Sequence, residues 1–420
     1  MVRPLRWPPR PERRATKPGF PGLPVLLLAA CCAVSPAARA EPSAPPVTVT
    51  IAYLTKAYPE LPPLSLVLSP AREKGLWGAR MAIGESNRTG SFTGKHFELV
   101  EDVVGEADDV AAEAKRLLAA GRKIIIADLE ARDLLAVADL AEAKDAVLLD
   151  ARTSDDALRG QDCRANSFHL LPSLAMRADA LGQFFAWKRW NRWFLLQGQT
   201  PADAEFARAI RRAAGRFGAK IVEDRTYAFD PGSRRTDTGH EQIQAQMPME
   251  TQIGPDYDVL VVADSADTFG EYLLFNTTKP RLVAGTHGLV AVAWHRSFEE
   301  YAATQMQHRF EKLAGRTMTE RDYGAWLAVR AVGEAALRDD AAGAAQIRRS
   351  FESDRFRVAA YKGESLSFRA WDHQLRQPVI LAGPLMLVAM SPQDGFLHPK
   401  FVTDTLGYDE PETQCDFHSS

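Results

Sequence analysis

"GSFTGKHFELVEDVVGEADDVAAEAKRLLAAG", residues 90–121, is the stretch whose reading decides the fold. Its glycines mark a turn, Phe97 to Val100 reads as a strand that ends in Glu101 and Asp102, and Asp109 to Ala120 reads as an alanine-rich helix stopped by Gly121. A strand that runs into acids and then into a helix is half of a βαβ unit, so the question is whether the rest of the chain repeats it.

It does, in both directions. Val47 to Tyr53 is a β-rich run, and Trp77 to Asn87 carries apolar residues at helical spacing. Downstream, Lys123 to Ala127 and Ala146 to Leu149 are continuous apolar runs, as strands buried on both faces should be. The alternation restarts at Trp193 to Leu196, with a helix over 203–217 and strands over 219–223 and 258–263. This order predicts an α/β fold with parallel sheets and helices on both faces, and the restart predicts two such sheets.

Open α/β sheets bind ligands at the carboxyl ends of their strands. Here those ends are acidic: Glu101 with Asp102, Asp128 with Glu130, Asp150, and Asp264 with Asp267. Acids in the first turn of a helix explain such a pattern without any ligand. The functional alternative is a cargo with cationic groups, or a hard cation that carboxylate oxygens would suit.

The first forty residues read as an address. Arg3, Arg6, Arg10, Arg13, Arg14 and Lys17 precede an apolar run from Leu23 to Val34, and Ala38-Arg39-Ala40 has the form of a cleavage site. Cleavage after Ala40 is the expectation; Leu28-Ala29-Ala30-Cys31 offers a lipoprotein alternative at Cys31. Removal of residues 1–40 takes seven basic groups and one acid from the full 51 and 54. That leaves 44 against 53, a net charge of −9, and no basic footprint for nucleic acid. Two cysteines remain, Cys163 and Cys415. In an oxidising compartment a disulfide between them is the expectation, with two unpaired thiols as the alternative.

With these motifs in place the chain resembles the type I periplasmic substrate-binding proteins of ABC importers, the branched-chain amino-acid (Leu/Ile/Val) binding class. The resemblance rests on "LSPAREKGLWGARMAIGESNRTGSFTGKHFELVEDVVGEADDVAAEAKRLL", "VLLDARTSDDALRG", "NSFHLLPSLAMRADALGQFF", "RLVAGTHGL" and "YGAWLAVRAVGEAAL", taken in order. It implies two doubly wound parallel-sheet lobes joined by a three-strand hinge. Lobe 1 would comprise 47–168 and 284–338, lobe 2 172–282 and 340–400, and 401–420 a C-terminal tail. "IAYLTKAYPELPPLSL" and "GPLMLVAMSPQDGFLHPKFVTDTLGYD" are similar to a branch associated with PQQ-dependent alcohol dehydrogenase systems.

Departures from the class matter for cargo. Thr153 matches a threonine that holds the ligand's carboxylate, but "ADLEARDL" stands where the partnering serines belong, and Glu130 there would repel a carboxylate. His169 replaces the crossover arginine, and His287 stands where the class has an acid for the ammonium. Hinge closure around a small ligand is therefore expected, with contacts from Tyr53, Asp128, Glu130, Arg152, Thr153, Ser154, Tyr227, Asp264 and His287. The class implies a periplasmic monomer delivering to an ABC transporter permease. A two-lobed sensor, or a calcium- or lanthanide-binding protein, is the alternative. No cofactor is expected, and no catalytic reading arises: H-E-x-x-H, the Walker A loop and G-x-S-x-G are all absent.

Overall fold

Val47 to Lys56 alternates small and branched residues that end up buried at Val49 and from Ile51 to Leu54, and this strand, β1, is the axis of the first sheet. The computed structural model describes residues 46–59, 71–228 and 237–417. The expected leader, its cleavage after Ala40 and Cys31 lie outside the described residues. Beside β1 run β2 (Lys95–Val104), β3 (Ile124–Asp128), β4 (Val147–Asp150) and β5 (Ser167–His169), all parallel, in the order β2-β1-β3-β4-β5. Every residue of β3 and β4 is buried, which is why those runs carry no polar alternation. Helices α1 (Leu76–Thr93), α2 (Val110–Ala119) and α3 (Ala131–Ala138) connect them.

After α4 (Leu174–Trp187) the pattern repeats through β6 (Arg192–Gln197), α5 (Pro201–Arg216), β7 (Lys220–Thr226), α6 (Asp237–Glu250), β8 (Val259–Ala263), β9 (Leu282–Gly285) and β10 (Leu289–Val292). Then α7 (Ala303–Ala314), α8 (Glu320–Arg338), α9 (Ala344–Phe351) and the short strands β11 (Val358–Ala359), β12 (Ser365–Phe368) and β13 (Leu375–Arg376) lead to β14 (Val379–Gly383) and β15 (Met386–Ser391). The second sheet is ordered β15-β14-β10-β9-β8-β6-β7, with β14 antiparallel to both of its neighbours and every other pair parallel. Its parallel part, β7-β6-β8-β9-β10, repeats the order of the first sheet. Each sheet therefore reverses direction of growth once, between β1 and β3 and between β6 and β8, the crevice where doubly wound sheets take ligands. Both sheets lie in one compact unit, Pro45–Ser420.

The lobe boundaries differ from those expected. Residues 284–292 belong to the second sheet and not to lobe 1, and 344–376 pack into the first sheet's core, where Phe351 and Phe368 make edge contacts with Phe168 (5.2 and 5.1 Å between centroids). The chain thus crosses between lobes at 170–173, directly after Val292 and at 377–378. Apolar runs identify strands but not the sheet they join, so these two boundaries were not written in the pattern. The hinge segments are laced by side chains: Gln374 donates to the carbonyls of His169 (3.3 Å) and Leu171 (3.0 Å), Gln377 donates to Leu170 O, and the Lys362 ammonium donates to Ala293 O and Pro378 O (3.2 Å).

The C-terminal segment is held as well. Cys415 is disulfide-bonded to Cys163, with 5.6 Å between Cα atoms. Leu406 sits in the second lobe's core, Gly407 O accepts from Arg212 (2.8 Å) and Arg216 (2.6 Å) on α5, and Arg369 donates to Leu406 O (2.7 Å).

Candidate functional site

The first crevice is built around Asp128, the last residue of β3, which is 1% exposed. Tyr53 Oη donates to its Oδ2 (2.7 Å), Thr55 Oγ1 donates to the same oxygen (3.0 Å), and Arg321 at the start of α8 forks onto both oxygens (3.0 and 2.6 Å). Three of these bonds fall on Oδ2 and one on Oδ1, so both oxygens of the carboxylate are engaged. Burial, and then the charge of Asp128, pushes the Tyr53 phenol well above its usual value, so it stays a neutral donor. Beside this group Arg152 lies 4.4 Å over the Tyr58 ring and donates to Glu130 (3.3 Å).

Asp150, at the end of β4, turns inward. Its oxygens accept from the backbone N–H groups of Arg152 (3.1 Å) and Thr153 (2.9 Å), from the Thr153 hydroxyl, and face His169 Nδ1 at 2.8 Å. Burial alone would raise its carboxyl, but His169, Arg159 and Thr153 hold it below the ordinary carboxylate range. Thr153 also accepts from Arg159 (3.2 Å), so its hydroxyl is spent inside the protein and does not line the cleft.

In the second lobe Asp264 follows β8 at the corresponding switch point. Its Oδ2 accepts from the N–H groups of Phe269 and Gly270 (both 2.7 Å); its Oδ1 is buried with no partner. His287 is 7% exposed and sits 3.1 Å from Asp267 and 3.0 Å from the Thr286 hydroxyl. Burial works against its charge, but Asp267, Asp264 and Glu271 outweigh it and raise its pKa above the usual value. Tyr227 is not brought to the cleft: it is buried, with its ring 4.9 Å from Phe269 and its hydroxyl donating to Gln246 (2.8 Å).

Between the lobes lies a cavity of about 630 Å³, walled from one side by Arg152, Ser154, Asp155 and Arg321 and from the other by Glu205, Phe206, Asp264 and Thr286. Leu171, Leu174 and Val290 to Val292 form its apolar floor. Arg177 of α4 reaches across it, donating to the Ser154 hydroxyl (3.1 Å) and to Ala291 O (3.0 Å) and pairing with Glu320 at 2.9 Å. This volume falls in the range of small-molecule sites, and its two walls belong to different sheets.

Over residues 63–270 the sequence matches the family described as periplasmic binding protein. The chain carries a periplasmic-binding-protein domain. Solved structures with the same fold include a branched-chain amino-acid ABC transporter periplasmic ligand-binding protein from Burkholderia xenovorans, 14% identical with a TM-score of 0.67, over 88% of this chain and 99% of that one. A leucine-, isoleucine-, valine-, threonine- and alanine-binding protein from Brucella ovis in its closed conformation is 15% identical, with a TM-score of 0.61 over 86% and 98%. An R. palustris solute-binding protein in complex with benzoate is 10% identical, with a TM-score of 0.56 over 88% and 99%. At these identities the likeness is one of fold. No curated protein matches the sequence significantly.

In this periplasmic-binding-protein cleft, Arg152, Ser154 and Asp264 line the main cavity, while Tyr53 lines an adjoining one of about 430 Å³ that shares Arg152 and Arg321. Asp128 and His287 support these walls from behind, and Glu130 stands outside as a half-exposed partner of Arg152. Arg177, Glu205, Glu320 and Arg321 were not picked out from the sequence. Arg321 carried a signal, as a charged residue in the first turn of the tyrosine-led helix, but nothing local said that it would meet Asp128. Among the described residues no group of three or more His, Cys, Asp or Glu is placed to hold a metal ion. No described helix is long and apolar enough to cross a membrane.

Proposed function

We propose that the protein captures a small organic ligand between its two lobes by closing about the laced hinge, and hands it to an ABC-type membrane permease. The observation that carries this reading is the cavity of about 630 Å³ whose opposite walls come from the two sheets. A ligand that touches both walls binds the closed state better than the open one, and that difference is the drive for closure. The Cys163–Cys415 disulfide supports residence in an oxidising compartment such as the periplasm.

Capture of a calcium or lanthanide ion is less well supported, because the strand-end acids that would hold it are engaged: Asp128 by four donors, Asp102 by Arg116, Asp150 by Thr153 and His169. A link to PQQ-dependent alcohol oxidation rests on the resemblance of two sequence stretches. PQQ itself, a tricarboxylate, would meet unpaired carboxylates in the cavity.

The test combines calorimetry with small-angle scattering on the purified protein. Capture predicts a saturable ligand together with a smaller radius of gyration in its presence. A confirmed tight ligand that leaves the scattering curve unchanged would reject closure.

A further inference from the structure

The three guanidiniums that line the cavity are already neutralised. Arg321 is paired with Asp128 at 2.6 Å, Arg177 with Glu320 at 2.9 Å, and Arg152 with Glu130 at 3.3 Å. On the acidic side, Asp267 has His287 at 3.1 Å. What remains is a set of carboxylates with no ion-paired cation, although Arg159, Arg208 and His287 lie near enough to act on Asp155, Glu205 and Asp264 through their charge. Asp155, in the loop after β4, and Glu205, on α5, belong to opposite lobes and line the same cavity, and neither carboxylate has a hydrogen-bond or ion-pair partner among the described residues. Glu205 is pushed up, first by burial and then by the charge of Asp155, while Arg208 offsets part of this, so the two acids repel across the gap. The third is Asp264, 1% exposed, lining the cavity with its buried Oδ1 unpartnered. A buried acceptor left without a donor is destabilising, a cost that a donor on a ligand would remove.

We propose that the cargo is an organic cation, an ammonium group on an apolar body, held between Asp155 of the first lobe and Glu205 and Asp264 of the second. The apolar body is assigned by Leu171, Leu174, Phe206 and Val290, which share the cavity with the acids. The volume and the apolar lining suit an organic body better than a bare ion. This inference rests on the capture reading and adds a mechanism to it. Without ligand, Asp155 and Glu205 oppose closure; a cation placed between them converts that repulsion into attraction, so charge recognition and lobe movement are one event.

The probes are phenethylamine, putrescine and spermidine as cations, with isoleucine, benzoate and calcium chloride as the zwitterionic, anionic and metal comparisons, titrated calorimetrically into the purified protein. At least one amine is expected to bind, to lose about tenfold in affinity in Glu205→Gln and again in Asp155→Asn, and to bind more weakly as salt is raised. Glu311→Gln, on the far helix α7, should leave binding unchanged. Asp264→Asn is set aside as a primary test because Asp264 also caps the 269–270 turn. Tight binding of isoleucine or benzoate with lobe closure would overturn the cationic class and leave capture standing. Calcium binding that is lost in Glu205→Gln would assign the acids to a metal instead. Amine binding indifferent to both variants would overturn the site, and a folded protein that binds no amine would overturn the class; if no probe of any charge binds or closes the lobes, capture itself loses its support.

Discussion

Asp128 and Asp264 occupy the same place in two sheets of the same strand order, and the chain treats them oppositely. Asp128 has both oxygens engaged; Asp264 keeps one oxygen in reserve. Both were legible as strand-end acids. Their difference was not, because it is set by Arg321, which lies 193 residues further along the chain than Asp128, and by the turn at 269–270. Thr153 fails as a ligand contact for a similar reason: the buried Asp150 nearby claims its hydroxyl first. Arg321→Ala should destabilise the protein by about 3 kcal/mol in urea denaturation, because it leaves the charge of Asp128 buried without its main counter-ion; a loss under about 1 kcal/mol would show that the pair is dispensable. His287 gives a pH signature. Its folded pKa is raised, so its contribution is fully present below about pH 6.5 and is lost as the pH rises through the folded value. His287→Gln should therefore remove a fall in stability above about pH 6.5 that the parent protein shows. Identical pH profiles for the two proteins would dissociate His287 from that fall.

At the scale of elements, continuous apolar runs located the central strands β3, β4, β6 and β8, of which β3, β4 and β8 have no exposed residue at all, while β2 and β7 at the sheet edges expose part of their length. Helix starts were less well placed. The reading began α5 at 203, whereas the helix starts at Pro201 behind a Thr200–Asp203 capping box. Thr319 and Asp322 form the same box at α8 and point Arg321 into the crevice. Asp322 has a second duty: it accepts from Gly75 N (2.8 Å) and pairs with Arg316 (2.6 Å), so the first turn of α8 is pinned to the first turn of α1. The two helices meet where Gly78 has no side chain, and a Cβ there would lie 1.8 Å from Asp322 O. Gly78→Ala is expected to cost about 1–3 kcal/mol through overpacking, even though alanine is the better helix former. Thermal denaturation checks the sign; a stabilised variant would mean that α8 can move away without loss.

For the whole molecule, the restart of the alternation, and with it two sheets, was visible in the sequence, while the order of the strands and the second and third crossings were not, because Leu282–Gly285, Leu289–Val292 and Val379–Ser391 join their sheet through partners far away in the chain. The C-terminal segment also acts at this scale. It is seated in the second lobe through Leu406 and Gly407 and bonded to the first through Cys163, so it straps the two lobes together alongside the hinge. Replacing both cysteines by serine should lower stability by about 2–5 kcal/mol and widen the unliganded scattering envelope; unchanged stability and envelope would show that the strap bears no strain between lobes. Its covalent reach has a different consequence. Residues 163 and 415 are 252 positions apart, so the disulfide turns the whole second lobe, all three crossings and much of the first lobe's helical cover into one closed ring. A protease that nicks any loop within that ring opens it without releasing a fragment, and the cut chain migrates as a single species until a reductant separates its pieces.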